Sequence, residues 1–135
     1  MRITLNDGQV KSDFVQQVER VSGQDLSHCY QCGNCTGTCP VAQEMDLPPT
    51  QVIRLLQLGQ ENLVMDANSM WVCVSCLQCF SHCPKCLDPS SIMEALRRIS
   101  LRNGKEPFPV EEIPSEFMRR SPQQAIVAGF RKLVP

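Results

Sequence analysis

The chain has 135 residues, a formal net charge of −1 and 5% aromatic residues. Its near-neutral balance argues against nucleic acid as a partner and against a basic patch for a membrane surface, and no apolar run approaches the roughly 18 residues of a membrane span. A core this poor in large side chains needs other support, and the composition offers one, nine cysteines.

Residues Met1 to Gly8 break into polar side chains before any apolar stretch forms, so no secretory leader is expected, and Ile3 to Leu5 gives only a weak strand pattern. Ser12 to Val21 predicts a short amphipathic helix: Ser12 caps it, Phe14, Val18 and Val21 share a face, and Gly23 ends it. Cys29, Cys32, Cys35 and Cys39 follow, closed by Pro40, in a tight loop with Gly33 and Gly37 as turn residues. Pro48 and Pro49 open a second helix, with Val52, Leu55, Leu56 and Leu58 inward and Gly59 at its end. Asp66 is expected to cap a short helix carrying Met70 and Trp71 into Cys73. Cys73, Cys76, Cys79 and Cys83 then repeat the first spacing, closed by Pro84. Asp88 as cap, Pro89 at the first helical position and Ile92, Leu96 and Ile99 on one face predict a further helix. Arg97, Arg98 and Arg102 suit its C-terminal dipole, and Asn103-Gly104 end it. Beyond Lys105 the chain is interrupted by Pro107, Pro109, Pro114 and Pro122. The expected fold is all-α: a domain over residues 1–104, built as a pseudo-repeat of cysteine loop plus helix, and an extension over residues 105–135. The apolar Ala125, Ile126, Val127, Phe130, Leu133 and Val134 of that extension suit docking to a partner.

Each run reads C-x2-C-x2-C-x3-C-P, the ligand spacing of [4Fe–4S] clusters. Three cysteines at this spacing let one loop reach three irons of a cubane, and in two-cluster ferredoxins the fourth binds the other cluster. The predicted ligand sets are therefore crossed. Cys29, Cys32, Cys35 and Cys83 hold the first cluster, and Cys73, Cys76, Cys79 and Cys39 hold the second. Structural zinc sites favour C-x2-C pairs separated by a spacer, which these triplets fit poorly. The ninth cysteine, Cys86, makes the count odd, which argues against a complete disulfide framework and for a cytoplasmic, reducing setting. Val72, Val74, Leu77 and Phe80 are expected to shield the second cluster from water. Tyr30 and Trp71 read as packing residues, His28 and His82 as surface residues, and Cys86 as an inert or partly buried thiol. No Gly-rich phosphate loop, nucleophile with a base, or flavin fingerprint is visible, so the chain reads as an electron carrier without a catalytic residue.

His28-Cys29-Tyr30-Gln31-Cys32-Gly33-Asn34-Cys35-Thr36-Gly37-Thr38-Cys39-Pro40 resembles the first cluster motif of the heterodisulfide reductase C-subunit family. Trp71-Val72-Cys73-Val74-Ser75-Cys76-Leu77-Gln78-Cys79 with Cys83-Pro84 resembles its second, and the likeness covers residues 12–104. Cys86 departs from the wider group of succinate dehydrogenase and fumarate reductase iron–sulfur subunits, which has glycine there. The resemblance implies an α-helical ferredoxin fold, two [4Fe–4S] clusters and no direct membrane insertion. It also implies a role in passing electrons between two partners of a heterodisulfide reductase-like complex, a flavin-containing A-subunit and a cysteine-rich B-subunit. Two other readings stay open from sequence: the relay component of a membrane quinone-linked dehydrogenase of the glycerol-3-phosphate or succinate/fumarate type, and a freely diffusing ferredoxin-like carrier.

Overall fold

The structure, a computed structural model, describes residues 11–104 and 112–131, and among them every regular element is helical. The helices are α1 (Asp13–Ser22), α2 (Asn34–Gly37), α3 (Pro49–Gln57), α4 (Glu61–Met65), α5 (Ser69–Val72), α6 (Gln78–Ser81), α7 (Pro89–Arg102), α8 (Ser115–Arg120) and α9 (Gln123–Phe130), with 3-10 turns at Leu26–His28 and Ala42–Glu44. The weak strand pattern at Ile3 to Leu5, and Leu133 and Val134 of the tail, lie outside the described residues. The chain divides into two compact units, Met1–Leu96 and Arg97–Pro135.

In the first unit, local chemistry sets the helix ends. The Val15 N–H donates to Ser12 Oγ at 3.4 Å to start α1, and Gly23, at φ 68°, ends it by donating its N–H to the Glu19 carbonyl at 2.8 Å. Phe14, Val15 and Val18 form the buried stripe, while Val21 is only half-buried. Pro49 leads α3, which buries Val52, Ile53, Leu55 and Leu56. Fully burying one such side chain stabilises by about 1.5–3 kcal/mol. Gly59 sits at φ 65°, its N–H bonding the Leu56 carbonyl at 2.9 Å while Gln60 N–H reaches Leu55 at 2.9 Å, and this paired closure leaves Leu58 at the rim, half-buried.

Between α3 and the second cysteine run the structure departs from the sequence pattern. Asp66 does not open a helix. It closes α4, a helix that the pattern does not predict, with its N–H on the Asn62 carbonyl at 3.0 Å. The residue before α5 is Asn68, which clasps Asp46: Asp46 N–H donates to Asn68 Oδ1 at 2.9 Å, and Asn68 N–H to Asp46 Oδ2 at 3.0 Å. Leu47 N–H adds a bond to Ser69 Oγ at 3.0 Å. These bonds fix the segment after Cys39 to the segment that leads into Cys73.

Asp88 starts α7 as expected. It accepts from Ser90 N–H (2.9 Å), Ser90 Oγ–H (2.5 Å), Ser91 N–H (3.3 Å) and Ser91 Oγ–H (2.6 Å). Partial burial pushes the Asp88 carboxyl up, but the hydrogen bonds from Ser90 and Ser91 outweigh it and hold the group below its ordinary value. Gln24 Oε1 accepts the Asp88 N–H at 2.9 Å, tying the start of α7 to the end of α1. Ile92, Met93, Ala95 and Leu96 are buried. Helix α3 packs on α4, on α2 and on the Leu26–His28 turn, and α2 packs on α6.

The second unit is built on short helices. α8 and α9 follow Pro114 and Pro122, residues with no N–H to lose at a helix start. Ile113, Phe117, Met118, Ala125, Ile126 and Phe130 line an apolar recess within this unit. Phe117 and Val127 are 59% and 61% exposed, so this unit leaves large apolar side chains uncovered.

Replacing Asp88 by Ala deletes the four acceptor bonds at once. Stability is expected to fall by about 1 kcal/mol, read as a lower midpoint of denaturant unfolding, while Asp88→Asn keeps most of it because Asn also caps.

Candidate metal centre

The two cysteine runs adopt the same backbone. In the first, Gln31 and Gly33 take φ 64° and 85°, and Asn34–Gly37 then makes one helical turn, α2. In the second, Ser75 and Leu77 take φ 55° and 63°, and Gln78–Ser81 makes α6. Three of these four left-handed residues are not glycine, at a cost of about 1 kcal/mol or more each. Alternating left- and right-handed residues turn successive backbone N–H groups inward, the arrangement that cradles anions and iron–sulfur sites. Gly33 is needed for its backbone angle and not for space, since a Cβ there would meet nothing within 4 Å. Burial repeats as well. Cys29 and Cys73 are half-buried, Cys32 and Cys76 exposed, Cys35 and Cys79 buried, and Cys39 and Cys83 half-buried.

The last cysteine of each run turns toward the other run. Cys39 joins Cys73, Cys76 and Cys79 around one recess, of about 360 Å³ counting its open side, which Val41, Met45, Pro49 and Met93 also line. Cys83 lies close enough to Cys29 to raise its pKa. Among the described residues no three His, Cys, Asp or Glu side chains converge on one point as ligands of a single ion do. Four thiolates on a cubane each take a different iron and stand further apart than four ligands of one zinc. The donor set therefore fits the cluster: eight soft sulfurs in two groups, with backbone N–H groups aimed at them.

Hydrogen bonds reach several of these sulfurs. Gln31 Nε2–H donates to Cys29 Sγ at 3.4 Å, Leu87 N–H to Cys83 Sγ at 3.3 Å, and Thr50 Oγ1 pairs with Cys35 Sγ at 3.2 Å. Backbone N–H groups of Gln31, Val41 and Phe80 serve Cys29, Cys39 and Cys79. Gln57 braces the first loop from α3. Its Nε2 donates to the Leu26 and Cys29 carbonyls at 2.8 and 2.9 Å, and its Oε1 accepts from Gln31 at 3.1 Å. Neither Gln57 nor Thr50 is among the residues singled out from sequence. Gln57 has a trace there, a polar residue four positions after Ile53 on the buried stripe of α3, whereas Thr50 has none.

Three expectations for side chains near the runs change. Val74, Leu77 and Phe80 are 52%, 52% and 43% exposed, so they rim the second loop without being buried over it. Tyr30 is 58% exposed and does not pack on a helix face; its hydroxyl reaches Cys32, and Lys85 Nζ lies 5.9 Å from its ring centroid. Cys86 is exposed, at φ 53°, with its N–H on the Cys83 carbonyl at 3.1 Å. Trp71 is half-buried, and His28 and His82 lie on the surface as expected.

Burial first, and then neighbouring thiols, push Cys29 and Cys39 up, against the pull of one backbone N–H each. Burial first, and then the Asp88 carboxylate and Cys73, push Cys79 up to about 11. A thiol whose pKa is raised on folding favours the fold below its unfolded value of about 8.5, and that contribution is lost as pH rises through the folded value. The metal-free chain is therefore expected to lose helical circular dichroism between roughly pH 8.5 and 11, and the iron-loaded chain to hold it further, because iron binds the thiolate form.

Residues 25–87 match the 4Fe-4S dicluster domain family. The chain is 33% identical over 104 residues to a CoB–CoM heterodisulfide reductase iron–sulfur C-subunit of Methanocaldococcus jannaschii, covering 71% of this chain and 55% of that protein. It is 32% identical over 104 residues to the C2-subunit of an H2/formate:CoB-CoM heterodisulfide,ferredoxin reductase of Methanococcus maripaludis, covering 74% and 55%. With the C-subunit of the H2:CoB-CoM heterodisulfide,ferredoxin reductase of Methanothermobacter thermautotrophicus the identity is 25% over 100 residues, covering 74% and 54%. The chain thus spans about half the length of the curated relatives it matches. Among the described residues no helix is long and apolar enough to cross a membrane. Matching cysteine loops, an all-helical frame and this set of relatives agree: the chain is similar to heterodisulfide reductase C-subunits and carries two [4Fe–4S] clusters in a dicluster domain.

Proposed function

We propose that this chain is the electron relay of a heterodisulfide reductase-like complex, passing electrons one at a time between a flavin-containing A-subunit and a cysteine-rich B-subunit. One observation carries the reading: Cys39 shares a recess with Cys73, Cys76 and Cys79 while Cys83 neighbours Cys29. Ligands exchanged in this way tie two redox centres into one rigid body, which is what a conductor between two larger proteins requires. When bound, each cluster stores and releases one electron. The residues of the chain do the rest. Cys29, Cys32, Cys35 and Cys83 hold one cluster and Cys73, Cys76, Cys79 and Cys39 the other, Gln57 and Gln31 set the first loop, and Val41 and Phe80 N–H groups stabilise charge on the sulfurs. Exposed Cys32 and Cys76 mark the edge of each centre nearest to water, where an electron has the shortest path to a partner. The apolar recess of the second unit, with Phe117 and Val127 uncovered, is the surface we assign to docking within the complex.

Anaerobically isolated protein is expected to hold about eight irons per chain; about four or fewer would sink the relay. Paired Cys→Ser variants test the exchange of ligands. Cys39→Ser with Cys76→Ser damages one cluster and leaves about four irons, whereas Cys39→Ser with Cys32→Ser damages both. The opposite pattern would mean that each run holds its own cluster.

Deleting residues 105–135 is expected to leave iron content unchanged and to remove the chain from its complex on size exclusion. Loss of iron from the truncated chain would instead make the extension part of the cluster domain.

A further inference from the structure

The two halves repeat in backbone and differ in one polar detail at the buried cysteine. Each run is followed by a helix opening Pro-hydroxyl, Pro49-Thr50 in α3 and Pro89-Ser90 in α7. In the first half, Thr50 Oγ1 lies 3.2 Å from Cys35 Sγ and 2.8 Å from Thr36 Oγ1, and the Thr50 N–H donates to Thr36 Oγ1 at 3.0 Å. A sulfur bound to iron carries no proton, so the Thr50 hydroxyl must be the donor to Cys35. That leaves the Thr36 hydroxyl to donate to Thr50 Oγ1, and the chained bonds polarise one another. In the second half, Phe80 stands where Thr36 does and offers no hydroxyl. The Ser90 hydroxyl, buried in the recess beside Cys79, is turned away to the Asp88 carboxylate at 2.5 Å.

We infer that the two clusters stand at different reduction potentials, the one bound by Cys35 above the one bound by Cys79, because Thr50 donates to the first buried sulfur while Ser90 is engaged by Asp88 beside the second. The inference rests on the two-cluster relay reading, though not on the exchange of Cys39 and Cys83, since Cys35 and Cys79 belong to different clusters either way. A hydrogen bond to a ligating sulfur stabilises the extra negative charge of the reduced cluster and raises its potential. A nearby carboxylate opposes that charge and lowers it. Asp88 holds the hydroxyl of Ser90, which lines the same recess as Cys79, so its carboxylate stands one side chain away from that sulfur. The chain then has a downhill direction. With both clusters bound, Cys79 would help hold the one of lower potential and Cys35 the one of higher potential, so transfer of one electron from the former to the latter would be downhill, with no bond made or broken.

EPR-monitored redox titration of the anaerobic full-length chain, poised with dithionite and mediators, tests this. The wild type is expected to show two separate midpoints. Thr50→Val, which keeps the shape and removes the hydroxyl, lowers the upper midpoint and leaves the lower in place; Thr50→Ser restores it. Asp88→Asn, which keeps the cap, raises the lower midpoint alone, and gives an independent reading should Thr50→Val not hold its iron. Coincident wild-type midpoints, no shift in either variant, or both variants moving the same midpoint would overturn the inference. Iron counts on the same samples separate this from failure of the relay reading: about eight irons with unmoved potentials rejects the tuning alone, and about four or fewer rejects the two clusters.

Discussion

Like charges gathered at close range govern this molecule. Eight cysteines sit on two short loops that pack against each other through α2 and α6, and burial and neighbouring charges both resist ionisation of Cys29, Cys39 and Cys79. Without a cation the loops have little to hold them in left-handed angles at Gln31, Ser75 and Leu77. With iron in place the repulsion becomes attraction, and the same backbone that is strained alone becomes a cradle. Iron binding and the ordering of the two loops are thus coupled here. The aliphatic core of α1, α3 and α7 supplies the frame that keeps the two loops facing each other.

The frame is polar where it meets the loops. Gln57 reaches from α3 to two carbonyls of the first loop, Gln24 reaches from the end of α1 to Asp88, and the Asp46–Asn68 clasp joins the chain after Cys39 to the chain before Cys73. Each of these bonds spans a long stretch of sequence. Together they set the position of the cysteine loops with directional contacts, which greasy packing alone supplies poorly because it is non-directional.

Much of the centre is legible in the sequence because its signals are local. The spacing of Cys29, Cys32, Cys35 and Cys39, and its repeat, is a property of consecutive residues, as is the Asp88-Pro89 start of α7. Helix α3 declares itself through Pro49, its apolar stripe and Gly59. What stays hidden depends on distance or on backbone angle. Sequence points to glycine for left-handed residues, and within the two runs only Gly33 meets that expectation, because cluster loops impose the angle on whatever residue stands there. Asp66 looks like an opening cap because capping residues look alike at both ends of a short helix; the N–H of Asp66 on Asn62 decides it. Val74, Leu77 and Phe80 suggest shields by their apolarity, yet a loop of alternating left-handed turns points them outward. Tyr30, aromatic and next to Cys29, misleads in the same way.

Leu77 sharpens that last point. It occupies the position that Gly33 fills in the first run, at a backbone angle leucine adopts only at a cost of about 1–2 kcal/mol. A leucine kept at such an angle usually repays the strain by burial, and this one is 52% exposed. Core packing therefore does not account for it. Its neighbours Val74 and Phe80 are exposed too, and all three flank Cys76, the most accessible sulfur of its run. At the corresponding edge of the first run stand Tyr30, with Lys85 over its ring, and Gln31. The backbone of the two halves is a repeat, but their outer edges are apolar on one side and polar on the other. The relay role proposed for this chain would use that difference, because identical edges would bind either partner at either end and the direction of transfer would be lost.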